Sequence, residues 1–79
     1  VDTTKLVGAV TLKDLDAHKF LFDRSKVKLT NEYVIKEVRR VLGDEYGFSQ
    51  TDINYAIDDI RENCNVVANP PKIGSKNWT

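Results

Sequence analysis

The sequence predicts a mainly α (α+β) domain in which three helices share one core and a C-terminal β-hairpin follows. Three observations predict it. Two segments, around residues 31–42 and 49–62, place apolar residues at three- and four-residue steps behind a capping residue, and a tail rich in Pro and Gly breaks any further helix. The 79 residues fit one domain, 1–79, and leave no room for a second core.

Residues 1–10 hold the cluster Leu6-Val7-Gly8-Ala9-Val10, too short to assign, and open to a strand or an extended arm. Thr11 can then cap a helix with Asp14 answering it three residues on, and Leu12, Leu15, Lys19 and Phe22 follow a helical stripe, so a first helix is expected over about 12–22. Val27 and Leu29 alternate with Lys26 and Lys28, the period of a half-buried connector or three-residue strand. Thr30 or Asn31 can cap a second helix, with Val34, Ile35, Val38, Val41 and Leu42 on one face, ending near Gly43. Asp44-Glu45-Tyr46-Gly47 reads as a turn. Ser49 can cap a third helix, Asp52 favours its positive end, Phe48 and Ile53 have staple spacing, and Ile53, Ala56, Ile57 and Ile60 form its buried stripe. Asn63-Cys64-Asn65 ends that helix. Val66-Val67 can make a strand, and Asn69-Pro70-Pro71 with Gly74 turns the chain before Trp78, so the tail reads as a hairpin.

The composition is that of an ordinary globular chain, 41% apolar and 30% charged, with zero formal charge. The charge is uneven: residues 1–42 carry nine basic and six acidic side chains (+3), residues 43–62 one and six (−5), and residues 63–79 two and none (+2). A uniformly basic nucleic-acid binder would look different, so any such function rests on local patches. The lone Cys64 cannot form an internal disulfide and fits a reducing compartment, which places the protein inside the cell, cytoplasmic or nuclear. No apolar run approaches the roughly 20 residues that span a bilayer. A chain that opens on Val1 and stops at Thr79 is open to being part of a larger one.

The run Val34-Ile35-x-x-Val38, then Tyr46-Gly47-Phe48-Ser49, then Ile53-x-x-Ala56-Ile57-x-x-Ile60-Arg61-Glu62-Asn63, resembles the helix-turn-helix of the winged-helix superfamily across roughly residues 12–79. The resemblance implies a three-helix helix-turn-helix core with a C-terminal β-hairpin wing, and a third helix offered to the major groove of duplex DNA. On that helix the face away from Ile53, Ile57 and Ile60 carries Thr51, Tyr55, Asp58 and Glu62, with Asn54 to one side. Gln50 and Asn54 can each pair with adenine, and Thr51 can reach a base or phosphate. Lys36, Arg39 and Arg40 on the second helix and Lys72 and Lys76 on the wing can meet the backbone, and Tyr55 can stack on a base. Asp58, Asp59 and Glu62 oppose a polyanion. They give the alternative, a protein-binding face of Tyr55, Asp58, Asp59 and Glu62 for a basic protein surface. The lysines and arginines are equally accounted for as a solvated face with Glu32/Lys36 and Glu37/Arg40 pairs.

Enzyme readings fare poorly. One His and one Cys cannot supply a four-ligand zinc set, and no orienting group or oxyanion site accompanies them. The adjacent Asp58-Asp59 point in different directions on a helix, and no Gly-rich phosphate loop is present. The sequence therefore assigns no catalytic residue, no cofactor and no metal. His18 reads as a surface side chain, Trp78 as a ring closing the core, and Asn77-Trp78-Thr79 as a chance glycosylation match.

Overall fold

Residues 1–10, left open between strand and arm, form a helix. The computed structural model describes residues 1–68, and its first element is α1, Thr3–Thr11, capped by Asp2, whose carboxylate accepts the Lys5 N–H at 2.9 Å. Leu6, Val7 and Ala9 are buried on one side of it. The helix stops at Leu12, an exposed leucine in the left-handed region (φ 64°). That conformation costs an L-residue about 1 kcal/mol.

The second helix, α2, Leu15–Phe22, starts three residues later than the sequence indicated. Asp14 is its cap, accepting from Ala17 N at 3.0 Å, while the Thr11 hydroxyl turns back to the Val7 carbonyl at 2.7 Å within α1. Left-handed Leu12 breaks the path between them. His18, expected on the surface, is half-buried, with Nδ1 3.1 Å from the Ala9 carbonyl and its ring 4.8 Å from that of Phe22, so it ties α2 to α1.

Strand β1, Leu29–Asn31, helix α3, Glu32–Asp44, helix α4, Gln50–Asn63, and strand β2, Asn65–Val67, complete the order. Asn31 caps α3 and Ser49 caps α4, accepting from Val34 N at 2.9 Å and Asp52 N at 3.1 Å. Between the helices Gly47 takes φ +67°, a conformation that suits a residue without Cβ, and Phe48 N–H closes the turn on the Leu42 carbonyl at 3.0 Å. The core is one cluster to which all four helices contribute, with Leu6, Leu21, Leu42 and Ile60 among its fully buried members. A mainly helical fold was correctly anticipated. The three-helix core is corrected to four, because α1 supplies a buried face of its own.

The hairpin wing is also corrected. β2 pairs with β1, and the pairing is parallel, with Leu29 opposite Asn65, Thr30 opposite Val66 and Asn31 opposite Val67. Parallel neighbours need a long crossover, and α3 with α4 is that crossover, so β2 joins a β-α-α-β unit. The remainder of the anticipated wing, with Lys72, Lys76 and Trp78, lies outside the described residues.

The facing of residues 27–29, the segment that leads into β1, is opposite to its hydropathy. Val27 is 80% and Leu29 51% exposed, whereas Lys28 is 3% exposed. The Lys28 stem covers the core, and its ammonium is satisfied by the carbonyls of Asp23 (2.6 Å) and Lys26 (3.1 Å), with the Phe20 ring centroid 5.7 Å away. Two hydrogen bonds to carbonyls and a nearby ring face offset much of the cost of burying the charge.

Candidate functional site

The faces of α3 and α4 that enter the core decide which side chains stay outside. Ile35, Val38 and Leu42 on α3 and Ile53, Ala56, Ile57 and Ile60 on α4 are buried. Gln50, Thr51, Asn54, Tyr55, Asp58, Asp59 and Glu62 are therefore exposed, as the helical period requires. Tyr55 is 68% exposed and does not fold onto the domain edge.

The two helices run antiparallel and are tied at two places. Arg39 Nη1 and Gln50 Nε2 each donate to Asn54 Oδ1 at 3.2 Å. At the second place Arg61 grips Glu32 through two bonds of 2.9 and 3.0 Å. The Arg61 guanidinium holds the Glu32 carboxyl below its usual range, and Glu32 raises Arg61 in turn. Of the residues singled out for base and phosphate contact, the structure thus gathers Arg39, Gln50 and Asn54. The Asn54 carbonyl oxygen, one half of an adenine-pairing edge, is already engaged.

Arg40 and Lys36 lie apart from that cluster, beside Tyr33 and Glu37 along α3. Arg40 donates from Nε (3.3 Å) and Nη2 (3.0 Å) to Glu37 and lies 3.9 Å from Asp44, so its charge is largely matched within the helix. The Glu37 carboxyl is held below its usual range by Arg40 and by the Tyr33 hydroxyl.

The electrostatic balance of α4 follows. It carries Asp52, Asp58, Asp59 and Glu62 against Arg61 alone, and Arg61 is spent on Glu32. Among the described residues none of those four acids takes part in an ion pair. Thr51, Tyr55, Asp58 and Glu62 form one stripe, with Asp59 at its flank.

Cys64, just past α4, is buried, and burial pushes its thiol above the usual range, partly offset by the nearby Lys28 and N-terminal ammonium groups. That is the environment of an inert packing thiol. No helix among the described residues is long and apolar enough to cross a membrane.

The Glu32–Arg61 clamp and the buried Lys28 escaped the sequence reading. The clamp joins residues 29 positions apart, for which no local spacing signals a contact. Lys28 does follow a rule that was available, that a long cationic stem can cover apolar surface. No family model, curated protein or solved structure matches the chain, and the resemblance to winged-helix domains gains no support from those comparisons.

Proposed function

We propose that the domain is a non-catalytic docking module that presents the outer stripe of α4, Tyr55 with Asp58, Asp59 and Glu62, to a basic protein surface inside the cell. The observation that carries this reading is the unmatched acidic charge around an exposed aromatic ring. Arg61 and Arg40 are engaged by carboxylates of the chain itself, while the three acids around Tyr55 form no ion pair among the described residues. An exposed tyrosine offers a large contact area at small entropic cost, and acidic neighbours steer a lysine- or arginine-rich partner toward it.

A second reading, binding of duplex DNA, is favoured by one observation, the convergence of Arg39 and Gln50 on Asn54. Only the first two turns of α4 would enter the groove, with Lys36 and Arg39 on the backbone. Asp52 and the acids beyond Tyr55 oppose it, since like charge near phosphate lowers affinity.

Chemical-shift mapping separates the two readings. The whole chain is titrated with a helical lysine-rich peptide and, separately, with a short random-sequence duplex, at about 50 and 300 mM salt. The docking reading expects the peptide to shift Tyr55, Asp58 and Glu62, more weakly at the higher salt, and Asp58→Lys with Glu62→Lys to abolish the effect. Equal peptide binding by that variant overturns it, as does a duplex that shifts Gln50, Thr51 and Asn54 where the peptide shifts nothing.

A further inference from the structure

A concave feature lies away from the α4 stripe and does not depend on the reading given to it. Between α1, the α1–α2 link and the last turn of α3 is a hollow of about 370 Å³. That volume is within the range of small-molecule sites. Val7 and Val41 supply its apolar lining, the Tyr46 ring one wall, and Lys13, Asp14 and Glu45 its charges.

Two features of this hollow select a ligand chemistry. The first is the ring. Tyr46 is packed edge-on against Phe48, with centroids 6.4 Å apart and an 82° interplanar angle, which fixes its orientation. The Lys13 ammonium sits 5.1 Å from the Tyr46 centroid, so the ring face already attracts an alkylammonium group of the chain itself. The second is the charge count. Asp14 and Glu45 form no ion pair among the described residues, so the lining side chains carry two carboxylates against one ammonium; one Asp14 oxygen is used to cap α2, and Glu45 also feels the Arg40 guanidinium from outside the lining.

We infer that this hollow binds a small alkylammonium group, supplied either by a free amine or by a lysine side chain of another molecule. The ligand's hydrocarbon part rests on Val7 and Val41. Its ammonium takes the place of Lys13 on the Tyr46 ring, with Glu45 and Asp14 as counter-charges. Lys13, on an exposed link, swings out into water. An anion is disfavoured because the charged side chains of the lining are two acids to one base.

The test is an amide chemical-shift titration of the full chain with n-butylammonium chloride, alongside n-butanol and sodium butyrate at equal concentration and N-acetyl-lysine amide as the side-chain source. Saturable shifts at Gly8, Glu45 and Tyr46 are expected from n-butylammonium and from neither control. Binding of N-acetyl-lysine amide at the same amides assigns the side-chain source as well, and its failure where n-butylammonium succeeds restricts the site to free amines.

Two exposed substitutions keep the inference falsifiable without threatening the fold. Lys13→Met removes the internal competitor and tightens binding about threefold, the size expected of one exposed cation–π contact. Glu45→Gln weakens it by a similar factor, about threefold, as for one exposed charge pair. Shifts that rise linearly without saturating, butyrate binding as well as the amine, or loss of binding in Lys13→Met would each overturn the assignment.

Discussion

Gly8→Ala is expected to destabilise the domain, although the same exchange in a free-standing helix does the opposite. Gly8 lies inside α1, where alanine is preferred over glycine by about 1 kcal/mol. A Cβ built on Gly8 would fall 2.9 Å from the Cβ of Asp14, closer than carbon atoms approach without something moving. Asp14 has little freedom to move. Its N–H donates to the Gly8 carbonyl at 3.2 Å, and its carboxylate caps α2 through Ala17 N at 3.0 Å. Overpacking costs about 1–3 kcal/mol, and loosening the cap adds up to about 1 kcal/mol. After the helix gain of about 1 kcal/mol is subtracted, the net loss is about 0–3 kcal/mol, centred on about 1.5 kcal/mol. Urea unfolding followed by far-UV circular dichroism measures it, with the slope unchanged if the native state stays compact. The decisive control is the same exchange in an Asp14→Gly background. There the opposing Cβ is gone, and Gly8→Ala should stabilise by about 1 kcal/mol. A stabilising Gly8→Ala in the parent protein, or an equal effect in both backgrounds, would refute the contact as the cause.

Gly47→Ala should cost about 1 kcal/mol through backbone strain alone, because its φ is +67° while nothing lies within 4 Å of the added Cβ. Gly47→Asn should cost less in the same unfolding assay, since asparagine tolerates the left-handed region. Acid should weaken the fold through Asp23, Glu32 and Glu37. The Ser25 hydrogen bonds lower Asp23, Arg61 lowers Glu32 and Arg40 lowers Glu37, so their contribution is present above the ordinary carboxylate values and fades as pH falls through the lower folded ones. Urea midpoints should therefore decline below about pH 4.3, and Glu32→Gln with Glu37→Gln should flatten that decline. An unchanged pH profile in the double variant would count against the two pairs.

The parts of the fold legible in the sequence are those whose signals are local. Asn31 and Ser49 cap the helices they were expected to cap, and the stripes on α3 and α4 are buried as their spacing requires. α1 was missed because Thr, Val and Gly dominate it and mask a helical pattern. Asp2 at the cap and Leu6, Ala9 and Val10 at helical spacing were nonetheless present. Thr11 and Asp14 are both capping residue types, Asp the better of the two, and the left-handed turn at Leu12 ends α1 and leaves Asp14 to cap α2. For the site, exposure was legible from helical phase. The Glu37–Arg40 pair was legible from its three-residue helical spacing, whereas the use of Arg39 and Arg61 was not, since partners 15 and 29 residues away depend on packing, and Arg61 takes the Glu32 that spacing had offered to Lys36.

The parallel pairing of β1 with β2 links topology to the surface charge of α4. In the parallel pair the exit of β1 into α3 and the entry of α4 into β2 lie at opposite ends of strands only three residues long, and Arg61 in the last turn of α4 spans that short distance to Glu32 at the start of α3. The two-bond clamp formed there ties together the elements that set the strand register. It also occupies the one basic side chain of α4. Arg61 feels the charge of Asp58 as well, but its hydrogen bonds go to Glu32. With Arg61 bonded to Glu32, α4 keeps four acids to one base and its outer face stays acidic around the exposed Tyr55 ring, the feature on which the proposed docking rests. The contact that closes the crossover is thus also the one that leaves the outer face of α4 acidic.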